Sequence, residues 1–112
     1  MEQVLDEQAG VKLSATGYGT VTFQPDSWQT WNVTIINVRT DQGVKVTPVP
    51  QCTVYLGTVD PGQIVAQTWM GNRSTATGDV AVQPSQPLIV EWTGGVPNSR
   101  ATVSLYGTQS MR

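Results

Sequence analysis

Pro87-Leu-Ile-Val-Glu-Trp-Thr-Gly-Gly-Val-Pro-Asn-Ser-Arg-Ala-Thr-Val-Ser-Leu-Tyr-Gly107 reads as two strands around a glycine-rich turn. Leu88, Val90 and Trp92 fall on one face of the first strand, and Ala101, Val103 and Leu105 on one face of the second. Successive side chains of a strand point to opposite faces, so an apolar residue at every second position marks a half-buried strand. Two such runs about a Gly-Gly turn predict an antiparallel pair and set the class of the chain as all-β.

The pattern continues upstream. Val11–Thr16 is a first strand closed by Gly17. Tyr18–Gln24 follows, with Val21 and Phe23 on one face, and ends at Pro25-Asp26-Ser27. Trp28–Val38 is the longest run, with Trp31, Val33 and Ile35 alternating. The adjacent Ile35-Ile36 breaks the alternation, which predicts burial on both faces or a bulge. Val44–Val49 reads as a strand whose end Pro48 and Pro50 demote to an edge. Gln51–Gly57 carries Cys52, Val54 and Leu56 on one face. Asp60-Pro61-Gly62 has the chemistry of a type II turn. Ile64–Trp69 follows, then a polar loop from Gly71 to Gly78 and a short strand from Asp79 to Gln83.

Short strands at this spacing, separated by proline and glycine, predict a two-sheet antiparallel sandwich. A jelly-roll-like sandwich fits best; an immunoglobulin-like one is the runner-up, but the Cys…Trp…Cys spacing of antibody domains is missing. Residues 1–10 hold, after Met1, only Val4 and Leu5 as sizeable apolar side chains among Glu2, Asp6 and Glu7. They read as an N-terminal arm, with residues 11–112 forming the sandwich domain.

Charged residues make up 12% of the chain, about half the ~25% of an ordinary globular domain. The polar surface must therefore come from Thr, Ser, Asn and Gln. The net charge of −2, with no run of Lys or Arg, argues against nucleic acid as a partner, because counterion release needs several cations on one face. No apolar run reaches the ~18 residues of a membrane span. The opening Met1–Gln8 is acidic and unlike a secretory leader, which implies synthesis in a cytosol.

The chemistry is sparse. There is no histidine and one cysteine. Ser-His-Asp and Cys-His catalysis lack their base, and zinc lacks its ligands. Paired carboxylates could support glycoside hydrolysis, with Asp26, Asp41, Asp60, Asp79 and Glu91 as candidates. Four of these lie at turn signals, where Asp serves local hydrogen bonds, and Glu91 lies on the strand face opposite Trp92. The expectation is a protein with no enzymatic activity, cofactor or metal. Cys52, at a core-facing strand position, reads as a small buried hydrophobe.

Binding is the remaining class. Trp31 and Trp92 alternate with core positions. Trp28 follows a turn, and Trp69-Met70 precedes a polar loop; exposed aromatics near loops mark interfaces. Val4, Leu5, Trp28, Trp69 and Met70 are therefore the candidate interface residues. Trp28 or Trp69 could also stack on a sugar.

Two segments carry a family resemblance: Val49-Pro-Gln-Cys-Thr-Val-Tyr-Leu-Gly-Thr-Val-Asp-Pro-Gly62, and Val90-Glu-Trp-Thr-Gly-Gly-Val-Pro97 with Ala101-Thr-Val-Ser-Leu-Tyr-Gly107. Together they resemble small β-rich virion structural proteins of tailed phages of actinobacteria, over roughly residues 28–110. The resemblance implies a particle component: a capsid decoration or minor capsid protein that binds the major capsid protein or other virion proteins as a homo-oligomer, a trimer favoured. A tail-associated module recognising a host glycan is the alternative. The resemblance supplies no catalytic residues. Localisation would be the virion, after synthesis in the host cytoplasm.

Overall fold

The computed structural model describes residues 2–40, 51–58, 61–68, 73–95 and 97–111. Among them are eight strands: β1 (Glu2–Lys12), β2 (Gly19–Phe23), β3 (Gln29–Thr40), β4 (Gln51–Leu56), β5 (Ile64–Thr68), β6 (Arg73–Val82), β7 (Leu88–Thr93) and β8 (Arg100–Met111). They form two antiparallel four-stranded sheets, ordered β1-β8-β3-β6 and β2-β7-β4-β5.

The pairing has a simple rule. β1 pairs with β8, β2 with β7, β3 with β6 and β4 with β5. That is one long antiparallel ribbon whose closed end lies between β4 and β5. Rolling the ribbon adds the pairings β3 with β8 and β4 with β7. The result is the jelly roll, and the all-β sandwich expected from the sequence is borne out. Where the ribbon crosses between sheets, its two strands travel together. Leu13 N donates to Ser99 O at 2.7 Å, and Gly95 N to Gly17 O at 3.1 Å. On the next crossing Ser85 N donates to Pro25 O at 3.1 Å, and Gln24 Nε2 to Ser85 O at 2.7 Å.

The apolar alternation fills the space between the sheets. Trp31, Val33, Ile36 and Val38 on β3, with Ala101, Val103 and Leu105 on β8, face Val21 and Phe23, Cys52 and Val54, and Leu88, Val90 and Trp92 on the other sheet. Trp92 is fully buried and stands in register between Gly19 and Cys52, small neighbours that leave room for the indole. Its burial is a large apolar contribution to the core.

Several expectations are corrected. β7 and β8 do not pair: they lie in different sheets, and the Gly94-Gly95 turn carries the chain across the sandwich. Alternation reports which face is buried, and two facing strands and two adjacent strands give the same pattern. Gly17 has φ +74°, and its Cα packs against the backbone of Gly95, so the crossing needs its glycines. The arm expected at residues 1–10 is strand β1, paired with β8 from Glu2 to Lys12. It reads as an arm because it is an edge strand: Glu7 and the small Ala9 occupy inward-phase positions, a common guard against edge-to-edge pairing. The polar loop expected at residues 71–78 is in its described part strand; β6 starts at Arg73. Pro61–Gln63 forms one turn of 3-10 helix instead of a type II turn. The irregularity foretold at Ile35-Ile36 is a bulge between Val33 and Ile35, after which Ile35 faces out and Ile36 faces the core. The strand expected at residues 44–49 lies outside the described residues.

Candidate interaction surface

With the inner faces consumed by the core, contact with other molecules falls to the outer faces and the ends of the sandwich. On the outer face of β1-β8-β3-β6, register sets Val4 beside Thr108 and Asn32, Asp6 beside Tyr106 and Ile35, and Gln8 beside Ser104 and Asn37. Hydroxyl and amide side chains dominate this surface, with Val4, Ile35 and Tyr106 as apolar points.

Of the expected interface residues, Val4 is 78% exposed and Trp28 is 52% exposed. Leu5, the neighbour of Val4, points the other way and is fully buried in the core; strand alternation removes it from the interface. Trp69 and Met70 lie outside the described residues. Trp28 sits in the turn before β3, closed by Gln29 N donating to Asp26 O at 3.0 Å.

Val4 and the Trp28 turn belong to one end of the molecule, and a chain of amides joins them. Gln109 Nε2 donates to Val4 O at 3.1 Å. Gln29 Nε2 donates to Gln109 Oε1 at 3.1 Å, and Asp26 N donates to Gln29 Oε1 at 3.0 Å. Three strands and a turn are thereby fixed relative to one another. Beneath them Trp31 is buried, and its Nε1 has no hydrogen-bond partner among the described residues. Sequence reasoning missed Gln29 and Gln109, because a glutamine in a strand gives no local sign of the partner that waits across a sheet.

The other sheet carries a second polar cluster on its outer face. Glu91 on β7 accepts hydrogen bonds from Tyr18 Oη at 3.1 Å and Tyr55 Oη at 3.2 Å, one to each carboxylate oxygen. Partial burial, then the bond to Glu91, raises the Tyr18 phenol above its ordinary value. Burial, then the negative charge of Glu91, does the same to Tyr55. In register, Glu91 has Thr20 and Thr53 as neighbours, so no carboxylate stands opposite it in the sheet to make a hydrolytic pair. Asp26 and Asp79 are exposed, and Asp41 and Asp60 lie outside the described residues. Among the described residues no three of His, Cys, Asp and Glu gather in a group that could hold a metal, and no helix is long and apolar enough to cross a membrane. A cavity of about 100 Å³ lies beside the β3 bulge, lined by Val33, Thr34, Ile36, Val65 and Ala66 among others, well below the ~300–1,000 Å³ of a small-molecule pocket.

No protein-family model matches the chain, and no curated protein sequence matches it. Among solved structures, the whole chain aligns with the whole of a chain in the acidic stable capsid structure of Helicobacter pylori bacteriophage KHP30, with a TM-score of 0.60 and 12% identity. This likeness is one of fold. The actinobacterial source implied by the sequence resemblance is without support in it. A second match, PliG of Aeromonas hydrophila, a periplasmic inhibitor of g-type lysozyme, is looser. It covers 90% of this chain and 85% of that one at 9% identity and a TM-score of 0.48.

Proposed function

We propose that this chain is a non-enzymatic structural protein of a bacteriophage particle, a decoration or minor capsid protein that binds the head surface and stabilises it. The observation that carries the reading is the end-to-end likeness to a chain of a phage capsid structure, in a jelly roll, an architecture used by viral capsid domains. The sequence supports it independently: a charge-poor, Thr-rich surface suits flat polar contacts repeated many times by symmetry. The partner is the major capsid protein or another virion protein, and the oligomer is a homotrimer. The contact is the end of the sandwich where Val4 and Trp28 are exposed and the Gln29–Gln109 relay holds them in place, an apolar pair within a polar rim.

The test is quantitative mass spectrometry of purified particles, with binding of the isolated protein to particles that lack it. Hundreds of copies per particle and loss of binding in Val4→Glu with Trp28→Ala are the expected results. Absence of the protein from particles overturns the reading.

A second reading is favoured by one observation, the exposed Trp28 and Tyr18 rings: a tail-associated module that stacks on a host glycan. A handful of copies per particle, with cell-wall binding lost in Trp28→Ala, would support it over decoration.

A further inference from the structure

The four described strands of the β2-β7-β4-β5 sheet hold a single charged residue, Glu91. It lies within β7, with β2 on one side and β4 on the other. Leu88, Val90 and Trp92 fill the inner face of β7, so Glu91 belongs to the outer one. The basic residues of the described strands, Lys12, Arg39, Arg73 and Arg100, all belong to the other sheet. Glu91 is half-buried, and a carboxylate drawn out of water in a sheet with no cation of its own carries a desolvation cost.

The carboxylate is held in place and left open. Tyr18, just ahead of β2, and Tyr55 on β4, opposite Ile89, reach it from opposite directions along the strands. Each phenol donates to a different carboxylate oxygen. Both phenols are themselves anchored. Tyr18 N donates to Ser14 Oγ at 3.3 Å, and Ser14 N donates to Tyr18 O at 2.8 Å. Thr53, in register with Glu91 and buried, makes a side-chain hydrogen bond to Tyr55. The Tyr18 side stays open to solvent, at 45% exposure.

An ionised carboxylate has about four lone-pair sites. The two phenols take one on each oxygen, which leaves one on each. That is the acceptor pattern a guanidinium matches with two parallel N–H donors. Phenol rings on both sides attract the same cation through their electron-rich faces. An ammonium is a compact point charge without the planar fork. A neutral sugar would bring hydroxyls and leave the charge uncompensated. The geometry and the charge together select a guanidinium.

We propose that the Tyr18–Glu91–Tyr55 clamp is a docking site for an arginine side chain of another protein of the particle. This rests on the reading of the chain as a virion structural protein, and it adds a contact on the β2-β7-β4-β5 sheet to the one at the Val4–Trp28 end. Charge complementarity identifies the partner surface: it is basic where it meets Glu91, and the rest of the contact is neutral, like the strands around Glu91. A buried, paired charge of this kind fixes the register of two flat polar surfaces that would otherwise slide.

Amide NMR of the full chain at low salt tests the site. The probe is N-acetyl-arginine amide at up to about 100 mM, because one charge-assisted contact supports no more than millimolar affinity. Saturable shifts centred on Tyr18, Tyr55 and Glu91 are expected, about tenfold weaker in affinity for N-acetyl-lysine amide and absent in Glu91→Gln. On particles that lack the protein, Glu91→Gln should bind about tenfold more weakly than the wild type. A wild type whose resonances stay still overturns the proposal, as do equal responses to the two amides or an unchanged particle affinity in Glu91→Gln. Shifts at the clamp with a neutral disaccharide of N-acetylglucosamine also overturn it and make the cluster a glycan subsite. The wild-type titration needs no variant, so a Glu91→Gln chain that fails to fold leaves the test intact. The two readings fail separately. Clamp shifts in a protein absent from particles keep the arginine site and sink the virion reading; hundreds of copies on particles with no shift in the wild type do the reverse.

Discussion

The carbonyl oxygen of Asn32 on β3 lies where a Cβ on Gly107 of β8 would be, so the two central strands meet there with no space for a side chain. The close approach coincides with the bulge between Val33 and Ile35, where Thr34 Oγ1 donates to Tyr106 O at 3.2 Å. Gly107→Ala must push these strands apart. Overpacking of this kind costs about 1–3 kcal/mol, to be read as a lowered urea midpoint at unchanged slope. An unaltered midpoint would mean that β3 and β8 can separate freely at this point.

Leu5 and Val4 are sequence neighbours with opposite fates. Leu5→Ala should cost about 2–5 kcal/mol, the range for a buried leucine. Val4→Ala should stay within about 0.5 kcal/mol, as exposed positions do. Deleting residues 2–9 removes most of β1 and the buried Leu5 and leaves one edge of β8 unpaired along much of its length, so the truncated protein should fail to show a cooperative melt. A truncated protein that melts like the full chain would return this segment to the status of an arm.

Trp92→Ala should cost about 3–5 kcal/mol, since the indole is fully enclosed. Trp28→Ala should change stability by less than about 1 kcal/mol and act instead on binding. Denaturant titrations of the two variants side by side give the comparison, and equal losses would contradict the placement of the core.

Cys52 is buried on an inner strand face, so its thiol should resist modification until the protein opens. A thiol reagent should label it at the unfolding rate, with labelling accelerated by urea. Fast labelling in native buffer would place it at the surface.

The Tyr18–Glu91–Tyr55 cluster sets an alkaline limit on stability. Both phenols are raised above their ordinary value in the folded protein. Below pH about 10 both states keep the phenolic protons, and the contribution is complete. As pH rises through the folded values, the unfolded chain holds fewer protons than the native one, and stability falls. Tyr18→Phe with Tyr55→Phe should flatten the loss of urea midpoint between pH about 9 and about 11.5. An unchanged slope would show that other groups govern the alkaline transition.

Local rules decided much of this protein. Period-two alternation identified the inward faces of β2, β4, β7 and β8, and of β3 as far as Val33, beyond which the bulge turns Ile35 outward; with them it identified the buried Trp31, Trp92 and Cys52. Proline and glycine marked most of the places where the chain turns. These features were legible because each is a property of a few consecutive residues: side-chain direction in a strand, or the dihedral range of one residue.

The partners were decided only in three dimensions. Val90 and Val103 alternate in the same way whether their strands are neighbours in one sheet or face each other across a core, and the structure puts them in separate sheets. β1 is a strand because β8 offers it eleven paired positions, a condition set about a hundred residues away in the chain. The Glu91 clamp joins Tyr18 and Tyr55, and the amide relay joins Asp26, Gln29 and Gln109 to Val4. Apart from Asp26 and Gln29, which share a turn, these groups are far from their partners in sequence. They meet because the ribbon rolls, and rolling is driven by burial of apolar faces, which is non-directional and leaves no mark on the polar residues it brings together.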